Sequence, residues 1–121
     1  MTGRKILLVD DVPSNLKVLA AYIDSDYELF MATSGQKALK IVATNPPDLI
    51  LLDVNMPDMN GFEVLKNLKA DEASQSIPVI FLTSNDASDD IERGLQAGAY
   101  HYLTKPFDAN MLRSIIDKAL S

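Results

Sequence analysis

The chain has 121 residues, 47% of them hydrophobic and 23% charged, with a formal net charge of −6, which suits one compact domain with a real core. The acidic balance argues against nucleic acid as a partner, since that needs a basic face; the lack of cysteine excludes disulfides and thiol chemistry, and a single histidine, His101, excludes a multi-histidine metal centre. No apolar run approaches a bilayer span and the run after Lys5 is too short for a secretory signal, so no membrane partner is expected and the cytoplasm is the expected location.

Lys5 to Asp10 reads as a first strand, apolar from Ile6 to Val9 and closed by Asp10 and Asp11. Pro13 suits the first turn of a helix, and Leu16, Leu19, Ala20 and Ile23 recur at helical spacing, predicting a helix over 13–24. Tyr27 to Ala32 is a second strand, interrupted by Glu28. Ser34 and Gly35 lead into a second helix with Ala38, Ile41 and Val42 on one face, stopped by Asn45-Pro46-Pro47. Asp48 to Asp53 is the central strand, apolar from Leu49 to Leu52 and ended by an acid and a turn, as in a strand buried on both faces.

A third helix is expected from Gly61 to about Ala70, with Phe62, Leu65 and Leu68 inward. A polar loop over 71–77 precedes a fourth strand, Pro78 to Thr83. Ser84 to Ser88 is rich in helix-capping residues. The helix behind it is the weakest, with Ile91 and Leu95 as its clear apolar positions, Gly94 inside it and Gly98 at its end. Tyr100 to Thr104 is a short fifth strand. Asp108 is a good N-cap for a last helix carrying Leu112, Ile115, Ile116 and Ala119 on one face.

Strands alternating with helices predict an α/β fold: a single-domain, flavodoxin-like, doubly wound parallel (βα)5 sheet. Strands one, three and four are apolar throughout and belong in the centre. Strands two and five, with Glu28 and His101, belong at the edges. Right-handed crossovers then give the order 2-1-3-4-5. The chain reverses direction between strands one and three, and ligands are expected in that crevice, outside the carboxyl ends of the strands. Asp10 and Asp11 arrive there from strand one and Asp53 from strand three, with Thr83-Ser84 and Lys105 at the neighbouring strand ends.

Taken singly these residues are unremarkable. Asp10-Asp11 suits a turn, Thr83 to Asp86 a helix-capping cluster, and Lys105 a solvated surface. Their joint placement at successive strand ends is what points to chemistry. Clustered carboxylates raise one another's pKa unless compensated, and Mg2+ is the natural compensation for an all-oxygen site that handles phosphate. Lys105 can hold a phosphoryl oxygen and the Thr83 hydroxyl can donate to another. Together these are the parts needed to move a phosphoryl group onto Asp53.

LLVDD at 7–11, LLDVNMPDMNG at 51–61, FLTS at 81–84 and LTKPF at 103–107 resemble, in order and spacing, the signatures of response-regulator receiver domains of bacterial two-component signalling. The resemblance runs from Lys5 to about Leu120. It implies that Asp53 accepts a phosphoryl group from a histidine kinase or histidine phosphotransfer protein. It also implies that Asp10, Asp11, Asp53 and the backbone carbonyl of Asn55 ligate Mg2+. Thr83 resembles the switch hydroxyl, Tyr102 the switch aromatic, Lys105 the active-site lysine, and Pro106 the proline after a cis peptide bond. Asn55 and Asn85 occupy positions associated in the family with the lifetime of the phosphoryl group.

The expected activity is therefore a phosphoacceptor switch that catalyses only its own phosphorylation and dephosphorylation. It would act on an unknown output domain or protein through the surface of helix four, strand five and helix five. The whole chain, 1–121, is expected to be one receiver domain. A haloacid-dehalogenase-like Mg2+ phosphatase is the competing reading, but that class resembles DxD after its first strand, where Asp10-Asp11-Val12 stands here. A flavodoxin-like cofactor binder is disfavoured because Asp10 and Asp11 would repel a phosphate. His101, on an edge strand, is expected to be a partly exposed strand residue and not a phosphodonor.

Overall fold

A computed structural model describes residues 4–23, 26–57, 59–84, 88–105 and 107–120. Strands and helices alternate: β1 (Lys5–Val9), α1 (Pro13–Tyr22), β2 (Glu28–Ala32), α2 (Gly35–Thr44), β3 (Leu49–Asp53), α3 (Gly61–Ala70), β4 (Val79–Ser84), α4 (Ser88–Gln96), β5 (His101–Lys105) and α5 (Ala109–Leu120). The sheet is parallel throughout, in the order β2-β1-β3-β4-β5, as the strand compositions predict.

The sheet divides the core into two apolar layers. Leu7, Val9, Ile50, Leu52, Val79 and Phe81 face α2 and α3. Ile6, Leu8, Leu49, Leu51, Ile80 and Leu82 face the side covered by α1 and α5. Alternate residues of one strand thus enter opposite layers, so β1, β3 and β4 must be apolar at every position. Glu28 and His101 lie exposed on the two edge strands.

The helix ends follow local chemistry. The Ser34 hydroxyl accepts the Lys37 N–H at the start of α2. Asn60 and Glu63 form a reciprocal capping box that opens α3. Asp108 accepts the Met111 N–H to open α5. Gly98, at φ 111°, closes α4: its N–H bonds the Leu95 carbonyl while Ala99 N–H bonds Gly94, the paired pattern that a left-handed residue allows. In α3 the buried positions are Val64, Leu65 and Leu68, with Phe62 half-buried. The sequence reading placed Phe62 inside and missed Val64.

Candidate functional site

The carboxyl ends of β1 and β3 lie side by side, with Val9 paired to Leu52. The residues that follow place Asp10, Asp11 and Asp53 so that one carboxylate oxygen from each lies within 4.8 Å of the others. Asp10 and Asp53 are buried and Asp11 is half-buried. The two oxygens of Asp10 have separate duties. Oδ1 accepts the Val12 N–H at 2.9 Å, the turn contact expected of an Asp leaving a strand. Oδ2 is buried with no hydrogen-bond partner among the described residues. The turn reading of Asp10 thus holds for Oδ1, and Oδ2 is left free of that turn.

Lys105, at the end of β5, reaches across β4. Its Nζ lies 3.8 Å from Asp10 Oδ2 and 3.6 Å from Asp53 Oδ1. These contacts are ionic and too long for hydrogen bonds. They leave the acids under-compensated. Asp53 is pushed up from the usual 3.8 to about 6, chiefly by burial. Lys105 opposes the rise, Asp10 adds to it, the Asn55 backbone N–H bond opposes it, and Asp11 adds a smaller part. A buried Asp10 oxygen with no hydrogen-bond partner among the described residues and an all-oxygen donor set fit a hard divalent cation such as Mg2+.

Thr83 is buried next to this cluster. Asp53 pairs with Leu82 across β3 and β4, so Thr83 stands one residue beyond it. Its Oγ1 also lacks a hydrogen-bond partner among the described residues. Tyr102 pairs with Phe81, lower on the sheet than Thr83 and Lys105. It is half-buried against the α2–α3 layer. Asn55 is exposed. His101 is exposed too, with Nδ1 against the backbone of Tyr102. Asn85 and Pro106, and with Pro106 the expected cis bond, lie outside the described residues.

A cleft of about 240 Å3 opens beside the acids. Asp10 and Lys105 form its polar end, and Val18, Tyr22 and Phe107 its apolar walls. Tyr22 and Phe107 meet edge to face, with ring centroids 6.3 Å apart. Sequence reading did not find this cleft, because Val18 and Tyr22 look like ordinary helix residues until α1 is laid against the β5–α5 connection.

A family model described as the response regulator receiver domain matches residues 6–117. The chain is 44% identical over 109 residues to response regulator PleD of Caulobacter vibrioides, covering 89% of this chain and 24% of that protein. It is 36% identical over 122 residues to sporulation initiation phosphotransferase F of Bacillus subtilis, covering 99% of this chain and 96% of that one. A solved receiver domain of a sensor histidine kinase from Pseudomonas aeruginosa, with a magnesium ion coordinated in its active-site cleft, aligns with a TM-score of 0.89 at 33% identity, covering 98% of each chain.

This chain belongs to the response-regulator receiver domains, the phosphoacceptor modules of two-component systems. Members bind Mg2+ at an acidic cluster of this kind and work with histidine kinases and output domains. The haloacid-dehalogenase alternative finds no support in these likenesses. The chain spans about a quarter of the length of the first curated relatives it matches. No described helix is long and apolar enough to cross a membrane.

Proposed function

We propose that Asp53 takes a phosphoryl group from the phosphohistidine of a histidine kinase or histidine phosphotransfer protein, and that the acyl phosphate then biases the surface formed by α4, β5 and α5. The observation that carries this reading is the joint approach of Lys105 to Asp53 and to a buried Asp10 oxygen that has no hydrogen-bond partner among the described residues. An Asp53 oxygen attacks phosphorus, the P–N bond breaks, and the imidazole leaves with the bonding electrons. Asp10, Asp11, Asp53 and the Asn55 carbonyl would hold Mg2+, which when bound supplies charge neutralisation between the carboxylate and the phosphoryl oxygens. Lys105 holds one phosphoryl oxygen and Thr83 donates to another. Water later attacks phosphorus and restores Asp53, so the only substrate turned over is the protein's own acyl phosphate.

The donor's surface is α1. Val12 and Val18 are exposed apolar side chains on and before this helix, 42% and 50% accessible, and Val18 lines the cleft that ends at Asp10 and Lys105. A donor helix seated there would bring its phosphohistidine to Asp53. The reading treats 1–121 as one receiver domain acting in the cytoplasm on an output domain or protein whose identity the chemistry does not specify. The test is Mg2+-dependent labelling by a small acyl phosphate. One phosphoryl group per chain, mapped to Asp53 and lost in Asp53→Asn or in excess chelator, is expected. Sustained release of phosphate from an external monoester, or full labelling of Asp53→Asn, would overturn the reading.

A further inference from the structure

Helix α4 meets the Phe81 ring of β4 at a glycine, Gly94. A Cβ added at Gly94 would lie 2.4 Å from both Cδ2 and Cε2 of Phe81, and 3.6 Å from Cε1 of Phe62. The backbone of α4 therefore lies directly on the Phe81 ring and beside that of Phe62. Between Ile91 and Gln96, Gly94 is the buried position and Ile91 is half-buried. Helices normally fix their register by fitting side-chain ridges into grooves. Here a smooth backbone meets a flat ring, so the contact resists separation but offers little resistance to sliding.

The preceding residue, Arg93, is placed to hold the register. Arg93 sets its guanidinium 4.2 Å from the centroid of the Phe62 ring. Phe62 belongs to α3 and packs edge-on against Phe81, with centroids 5.4 Å apart at 75°. Phe81 is fully buried in β4, so the platform beneath Arg93 is fixed. A guanidinium over a ring face is favourable only while it stays near the centroid. Sliding α4 by a fraction of a turn carries Arg93 off that face while Gly94 still rides on Phe81. The same strand carries Thr83, two residues beyond Phe81 and on the same side of the sheet.

We propose that Arg93 and Phe62 form a latch that holds α4 in its resting register on α3, and that the phosphorylated state has this latch open. The proposal rests on the reading of α4 as part of the switched surface. It adds that α3, and not only β4 and β5, sets the balance between the two states. A contact present only in the resting state opposes activation by its full free energy. An exposed cation–π contact of this kind corresponds to about a two- to five-fold bias.

The experiment titrates beryllofluoride, a phosphoryl mimic, with saturating Mg2+ into the wild-type chain, Arg93→Gln, Arg93→Lys, Phe62→Leu and the double variant Arg93→Gln/Phe62→Leu. Backbone amide NMR shifts of Gly94 and Tyr102 are the readout. The expected result is that Arg93→Gln binds the mimic about two- to five-fold more tightly than wild type. Arg93→Lys should stay near wild type, and adding Arg93→Gln to Phe62→Leu should bring no further gain. An Arg93→Gln affinity equal to or weaker than wild type, with the wild-type Gly94 amide still shifting, would overturn the latch alone. A Gly94 amide that does not respond in wild type would overturn both the latch and the proposed output surface.

Discussion

Lys105 Nζ stands 3.6 Å from Asp53 Oδ1, near enough to stabilise its charge and too far to hydrogen-bond it. At 38% side-chain exposure the ammonium keeps part of its hydration, so it is better placed for an incoming phosphoryl oxygen than for neutralising the resting carboxylate. Lys105→Met should slow labelling by a small acyl phosphate at least about tenfold. Mg2+ affinity should not weaken, since the change removes a cation from beside the metal ligands. Labelling rates and calorimetric Mg2+ titration separate these effects. A parallel loss of Mg2+ affinity would mean that Lys105 organises the cluster instead of contacting the phosphoryl group.

The raised Asp53 pKa makes the metal-free fold sensitive to pH. The folded chain keeps this proton up to about pH 6, whereas an unfolded chain releases it near 3.8. Stability linked to this group is therefore fully present below the unfolded value and is lost as pH rises through the folded one. The loss amounts to about 3 kcal/mol at neutral pH. Asp53→Asn should be the more stable form at neutral pH in chelator, with the advantage vanishing near pH 4. Urea melts of both proteins across this range check the sign. A wild-type chain that gains stability from pH 4 to 7 relative to the variant would contradict it.

Gly61 touches the site through the backbone. A Cβ there would come within 2.9 Å of the Asp53 carbonyl oxygen and of Val54 Cα, and the Gly61 N–H closes the loop on the Val54 carbonyl at 2.9 Å. Neither neighbour can rotate away, so Gly61→Ala must move the backbone that carries Asp53 and Asn55. We expect a stability loss of about 1–3 kcal/mol. Mg2+ affinity should fall roughly tenfold, as when groups that orient metal ligands are lost. Calorimetric affinity close to wild type in a folded Gly61→Ala protein would show that the loop absorbs the methyl.

The Thr83 hydroxyl is buried without a hydrogen-bond partner among the described residues, so the fold gains little from it there. Thr83→Ala should change stability by about 1 kcal/mol or less and should still take up label. Its response should shrink: amide shifts around Tyr102 and α4 on adding beryllofluoride ought to be smaller than in wild type. Full-size shifts in Thr83→Ala would exclude the hydroxyl as the link between the site and the surface.

Val18 lies half exposed on α1, in the apolar wall of the cleft. Val18→Glu places a charge in the apolar wall of the cleft. Transfer from a phosphohistidine protein donor should drop about tenfold or more, while labelling by a small acyl phosphate stays at the wild-type rate. Equal loss with both donors would mean that the change disturbs the site itself.

The sheet order and the acid cluster were legible because both depend on runs and ends. Uninterrupted apolar residues marked β1, β3 and β4 as central, and topology alone then gathered Asp10, Asp11, Asp53 and Lys105 at one edge. What escaped was contact between elements. Gly94 read as a weakness within a poor helix, whereas its missing side chain is the seat on Phe81. Val64 was overlooked beside the larger Phe62, although both lie on the inner side of α3. The Asn60–Glu63 capping box was visible at its fixed spacing and went unused. The cleft walled by Tyr22 and Phe107 joins residues 85 positions apart, which no local pattern reports.

The division of the core into two layers has a consequence for descent. Helix α1, where a donor would be recognised, sits on one layer; Gly94 seats α4 on Phe81 in the other. Substitutions that re-educate α1 toward a different sender leave the packing beneath α4 untouched, and the reverse also holds. Any response carried by α4 is thus insulated from changes at α1, whereas α5 shares its layer with α1 and is not.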